Sequence, residues 1–109
     1  MPNQIAALLF SLGLSSNYKG FSCLISAVDL VMRDPDSLAL TTKSLYPQVA
    51  KLHHTTWQAV ERNIRTAIGV IWARSAQRLQ SLTCFPLSGK PSAPVFISIL
   101  VYHLQNPSR

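Results

Sequence analysis

Residues Leu52–Arg74 read Leu-His-His-Thr-Thr-Trp-Gln-Ala-Val-Glu-Arg-Asn-Ile-Arg-Thr-Ala-Ile-Gly-Val-Ile-Trp-Ala-Arg. Val60, Ile64, Ala67, Ile68 and Ile71 recur at the spacing of one helical face and predict an apolar stripe turned toward a core. Gln58, Glu61, Arg62 and Arg65 fall at i, i+3, i+4 and i+7, on a different face. A helix anchored along one side with arginines turned outward on another has the physical form of a major-groove reader. Thr55 or Thr56 offers the N-cap hydroxyl, and the helix is expected to run to about Arg74. Gly69 inside it costs roughly 1 kcal/mol relative to alanine, a cost that close approach of a neighbouring helix or of DNA backbone would justify.

Pro47 places the element before it. Proline suits the first turn of a helix, where its missing N–H has no partner anyway. A scaffold helix is therefore expected over Pro47–Leu52, with His53, His54 and Thr55 as the turn of a helix-turn-helix. Further upstream, a first helix is expected over Asn3–Leu12, with Ile5, Leu8, Leu9 and Leu12 inward and Gly13 as its stop. Ser15, Ser16 and Asn17 offer N-caps for a second helix over Tyr18–Arg33, whose Phe21, Leu24, Ile25, Val28 and Val31 share a face. Asp34-Pro35 ends it, and Ser37–Ser44 reads as a short helical turn. Downstream, Ser75–Cys84 is expected as a further short helix and Phe85–Pro94 as a loop. Val95–Leu104 is rich in β-formers, but a lone strand has no partner in a helical chain, so it is read as a helix. The fold class is all-α, one domain over residues 1–109.

The totals bound the chemistry. A chain of 109 residues with 48% apolar composition can bury a core without staples. Ten Lys/Arg against four Asp/Glu leave a formal charge of +6, which favours a polyanionic partner. Between Lys51 and Arg78 lie five basic residues and a single acid, Glu61. Cys23 and Cys84 make no disulfide framework; both read as buried thiols suited to a reducing cytoplasm. No apolar run is long enough to span a bilayer, and no membrane partner is expected. Adjacent His53 and His54 have no third ligand at zinc spacing, and no nucleophile–base or paired-carboxylate arrangement is present. No metal, cofactor or enzymatic activity is expected.

A longer pattern accompanies the central stretch. Leu45-Tyr46-Pro47 with Val49-Ala50-Lys51, then Thr55-Thr56, Val60-Glu61-Arg62, Ile64-Arg65, Ala67-Ile68 and Trp72, resembles the C-terminal effector domain of the stage-zero sporulation response regulator family. Tyr18-Lys19-Gly20 and Gly89-Lys90-Pro91 are supporting marks, and the similarity runs from about Leu8 to about Leu104. The resemblance implies a compact six-helix domain built around a helix-turn-helix that binds a short operator element. It carries base contact onto Glu61, Arg62 and Arg65, and the chemistry agrees. Arginine donates a bidentate pair to guanine, and glutamate accepts from cytosine N4. The family joins this domain to a receiver domain, and no receiver domain is read within residues 1–109. The neighbourhood after Ser81, shorter here than in the family pattern, is associated in the family with the polymerase sigma subunit. Trp57, Gln58 and Ala59 also depart from the family pattern, as does Ala93-Pro94-Val95.

These readings define the expected sites. Gln58, Glu61, Arg62 and Arg65 are the base-contact residues. Lys43, Lys51, Thr55, Thr56, Arg74 and Lys90 are the phosphate-contact candidates, which supply affinity and salt dependence but no sequence choice. Val95, Phe96, Ile99, Leu100 and Tyr102 are expected to contact a second copy on tandem sites, because a helix apolar on several faces leaves a patch over. The leading expectation is a sequence-specific regulator of transcription that binds double-stranded DNA. The alternative, of another class, is an interaction module that pairs with a full-length regulator without productive DNA binding.

Overall fold

The computed structural model describes residues 2–106, and helices account for all the regular structure among them. The elements are α1 (Pro2–Ser11), α2 (Lys19–Arg33), α3 (Asp36–Ala39), a π-helical turn (Thr41–Leu45), α4 (Tyr46–Leu52), α5 (Trp57–Ser81) and α6 (Ala93–Gln105). The domain is all-α, as the periodicity requires.

Each helix buries the face its spacing picks out. Ile5, Leu8, Leu9 and Leu12 are buried, and α1 stops where Gly13 takes φ +88°. On α2 the residues Phe21, Leu24, Val28 and Val31 are buried, while Ile25 is only partly so. Its N-cap differs from the expectation. Tyr18 occupies that position with no side-chain cap bond, so the serines and Asn17 lie one or more residues too early. At the other end Arg33 pairs with Asp29 at 2.7 Å, one turn away. The expected turn over Ser37–Ser44 resolves into α3 and the π-helical turn, with Ser37 buried and its hydroxyl donating to the Asp34 carbonyl.

The tightest crossing sets α2 against α5. At Gly20 an added Cβ would meet the Asn63 backbone carbonyl and stand 2.7 Å from the Ala67 Cβ. Only a residue without a side chain allows that approach. Since Asn63 and Ala67 belong to the central stretch, the crossing fixes where the start of α2 stands relative to the outward arginines.

α6 is helical, as expected, but two residues longer at its start, with Pro94 in the first turn. It is wedged among α1, α2, α3 and α5. That placement corrects one expectation. Phe96, Ile99 and Leu100 are 0%, 3% and 0% exposed, so they are core residues and face no partner. Four surrounding helices cover faces that one neighbour would leave bare. Val95 and Tyr102 stay exposed. Cys84 is a second correction. α5 ends at Ser81, and Cys84 is carried to the surface in the following loop, whereas Cys23 is buried and its thiol pKa is pushed up by desolvation.

Candidate nucleic-acid interface

The turn between α4 and α5 is closed first by backbone bonds. Thr55 N–H donates to the Ala50 carbonyl at 3.0 Å and His54 N–H to the Lys51 carbonyl at 3.4 Å. This is the double bond of a Schellman helix end, whose pivot residue must be left-handed. His54 takes that position with φ 54°, where glycine is usual. Thr56 then caps α5 by accepting from the Ala59 N–H at 3.2 Å. His53 is tied across to α2, with its Nε2 2.8 Å from the Ser26 hydroxyl. The two helices of the expected helix-turn-helix are therefore joined and locked to a third.

α5 turns its stripe inward as predicted. Val60, Ile64, Ala67, Ile68 and Ile71 are all buried. The expected boundary at Arg74 appears as a kink: Ser75 has φ −144° and ψ 36°, and helix resumes to Ser81. Trp57 and Trp72 are partly buried against the core. Gln58, Arg62, Arg65 and Thr66 are exposed on the opposite side. Gly69 lies along the same crest, and the nearest atom an added Cβ would meet is the Lys90 Nζ at 4.0 Å. Among the described residues no helix packs there.

Glu61 sits one turn before Arg65, with 3.9 Å between Oε1 and Nη1 and both side chains substantially exposed. That separation is beyond hydrogen-bond range, so neither group is consumed by the other. Tyr46 is buried beside them. Desolvation, with the Glu61 charge adding and Arg65 partly offsetting, raises its phenol pKa above the usual 10.0.

The structure sorts the remaining candidates. Lys43, on the π-helical turn, and Lys51, in the last turn of α4, are exposed. Thr55 is exposed beside Arg62, and Thr56 keeps a free donor proton because its oxygen only accepts at the cap. Lys90 shares a groove of about 460 Å³ with Arg65, Glu61, Tyr46 and the start of α6. Arg74 departs from the group. Its Nη1 donates to the Gly13 carbonyl at 2.9 Å and its guanidinium lies 6.0 Å from the centre of the Tyr18 ring. It stands about 18 Å along the helix from Arg62 and clamps the α1–α2 turn to α5. This clamp gives Arg74 a structural role beside the expected phosphate contact, and its side chain stays exposed.

The opposite flank of α5 carries a second groove, of about 390 Å³, lined by Lys19, Ser22, Cys23, His53, Thr55, Ala59, Arg62 and Asn63. Sequence spacing on α5 gives no hint of Lys19 or Ser22 here, because they arrive through the Gly20 crossing. The Tyr18-Lys19-Gly20 mark is the one signal that points to them.

This arrangement has a counterpart among known proteins. The family described as "Sporulation initiation factor Spo0A C terminal" matches residues 5–104. The chain belongs to that family. Spo0A C-terminal domains are DNA-binding effector domains of a sporulation response regulator, a regulatory family and not an enzyme family. The central block that carried the resemblance forms the helix-turn-helix of this Spo0A C-terminal domain, and its charged face is open. No described helix is long and apolar enough to cross a membrane. Among the described residues no three His, Cys, Asp or Glu side chains gather as a metal site.

Proposed function

We propose that the domain is a sequence-specific regulator of transcription that binds double-stranded DNA through α5. One observation carries the reading: the Gln58, Arg62 and Arg65 face is exposed while the opposite stripe of the same helix is locked in the core. Gln58, Glu61, Arg62 and Arg65 then meet base edges in the major groove, with the arginines on guanine and Glu61 on cytosine. Lys43, Lys51, Thr55, Thr56 and Lys90 meet phosphates and set the register. There is no chemical step. The domain works in the cytoplasm, and its effect on transcription follows from where it sits relative to RNA polymerase, with the sigma subunit as the partner the family suggests.

The test is a titration of the family operator element beside a scrambled duplex, with the parent chain and Arg62→Ala. Parent binding is expected to favour the operator. Arg62→Ala is expected to lose about 1–3 kcal/mol of that preference with its fold intact. Equal binding of both duplexes by the parent rejects sequence reading.

A second reading, the pairing module, draws on one feature. Val95 and Tyr102 stay exposed on α6, and Tyr102 adjoins exposed Phe85 across a groove that also holds Leu82 and Ile99. On this reading the chain meets a full-length regulator through these residues without productive DNA binding; on the DNA-binding reading the same residues are where a second copy on a tandem operator element would sit.

A further inference from the structure

The groove on the α2 side of α5 is lined by donors. Lys19, Thr55, Arg62 and Asn63 carry groups able to donate a hydrogen bond to a ligand, whereas the Ser22 hydroxyl already donates to the Lys19 carbonyl and His53 Nε2 is bonded to Ser26. Among the described residues no carboxylate lines it. Its walls come from three segments: the first turn of α2, the α4–α5 turn and the first two turns of α5. These are held together independently of any ligand, by the Ser26–His53 bond and by the close approach at Gly20.

Charge is also polarised along α2. Lys19 opens the helix, whereas Asp29, Asp34 and Asp36 cluster around its far end, about 20 Å away for Asp34. Three of the four acids of the chain are thus kept away from the groove. The fourth, Glu61, lines the groove on the other flank of α5, beside Arg65 and Lys90.

A planar base edge is read by one or two donors in fixed geometry. A tetrahedral oxyanion takes several donors from different directions together with positive charge. The groove offers the second pattern. We propose that it seats a backbone phosphate of the duplex whose bases face α5, with Lys19 as the charged contact and the Thr55 hydroxyl as a further donor. The proposal rests on the DNA-binding reading and adds residues to it. With Lys90 and Arg65 on the opposite flank, the helix is held between two anchors, one on each side of its base-facing crest. Such anchors fix the orientation of the helix on the duplex without choosing sequence.

The experiment uses the full chain, the operator duplex and the scrambled duplex, each titrated over a range of KCl concentrations. Lys19→Gln is expected to weaken both duplexes by the same factor, about eight-fold in 0.1 M salt, and to lower the log–log salt slope by about 1. Lys19→Arg keeps the charge and is expected to keep the slope. Replacing single phosphates by uncharged methylphosphonates then locates the contact. At one backbone position the replacement weakens the parent and leaves Lys19→Gln unaffected. If the parent prefers the operator but Lys19→Gln binds with unchanged affinity and slope, the groove is no phosphate site and the DNA-binding reading stands. If Lys19→Gln weakens the operator alone, Lys19 touches a base and the proposal is wrong. If the parent binds neither duplex, both readings fall together. Lys19 is exposed, and an unchanged melting curve for Lys19→Gln separates lost contact from lost fold.

Discussion

Two glycines, changed to alanine one at a time, should move stability in opposite directions. Gly20 and Gly69 are both helical, and by propensity alone each substitution stabilises by up to about 1 kcal/mol. Their surroundings differ. At Gly20 the new methyl would stand 2.7 Å from the Ala67 Cβ and against the Asn63 carbonyl, which belongs to helix backbone and cannot rotate away. Carbon atoms prefer about 3.5–4.0 Å, so α2 has to move off α5. Overpacking of this kind costs about 1–3 kcal/mol, and the propensity gain is small in a first helical turn, leaving a net loss of about 1–2 kcal/mol. At Gly69 the nearest group is the end of the Lys90 side chain, 4.0 Å away, and the full propensity gain remains. For a domain of this size 1 kcal/mol moves Tm by about 4–8 °C. Thermal and urea unfolding of the two variants measures both effects. A Gly20→Ala variant as stable as the parent would refute the account of the α2–α5 crossing. A destabilised Gly69→Ala would refute the claim that the crest of α5 is open.

Other perturbations probe the turn, the buried phenol and α6. His54→Gly should stabilise by about 0.5–1 kcal/mol in urea unfolding, because glycine takes the left-handed pivot of the turn without the steric cost that histidine bears. Tyr46 has its phenol pKa raised in the folded state, so its contribution to stability is complete below the ordinary value of 10.0 and is lost as pH climbs above it. The parent should therefore lose stability between pH 10 and its own higher pKa, and Tyr46→Phe should flatten that decline in unfolding curves. Val95→Asp and Tyr102→Asp should leave the melting temperature nearly unchanged, as both are exposed. If α6 carries the pairing surface, sedimentation with tandem-site DNA will show cooperative binding lost in both variants; cooperativity equal to the parent's removes α6 from that role.

Much of this domain was legible in the linear chain, and the reason is periodicity. Along one helix the side facing inward depends only on residue spacing, so Val60, Ile64, Ala67, Ile68 and Ile71 revealed the buried side of α5 before any neighbour was known. The same reasoning found the buried face of α1 and the stop at Gly13, and the expected boundary after Arg74 coincides with the kink at Ser75. Short-range chemistry also placed Pro47 in a first turn and narrowed the cap of α5 to Thr55 or Thr56, of which Thr56 is the one that caps. What spacing does not encode is the distance between elements far apart in sequence. Arg74 looked like any other outward cation until the structure brought Gly13 and Tyr18 within its reach. Phe96, Ile99 and Leu100 looked like surplus apolar surface until four helices closed around them. Lys19 gained a place beside Arg62 because Gly20 lets two backbones come closer than any side chain would permit. The sequence alone determined which faces of α1, α2 and α5 are apolar and that the chain is helical throughout, with helix ends good to a few residues. Tertiary packing alone decided which charges remain free for a ligand, because that depends on the crossings of helices and the groups each crossing brings within hydrogen-bond range.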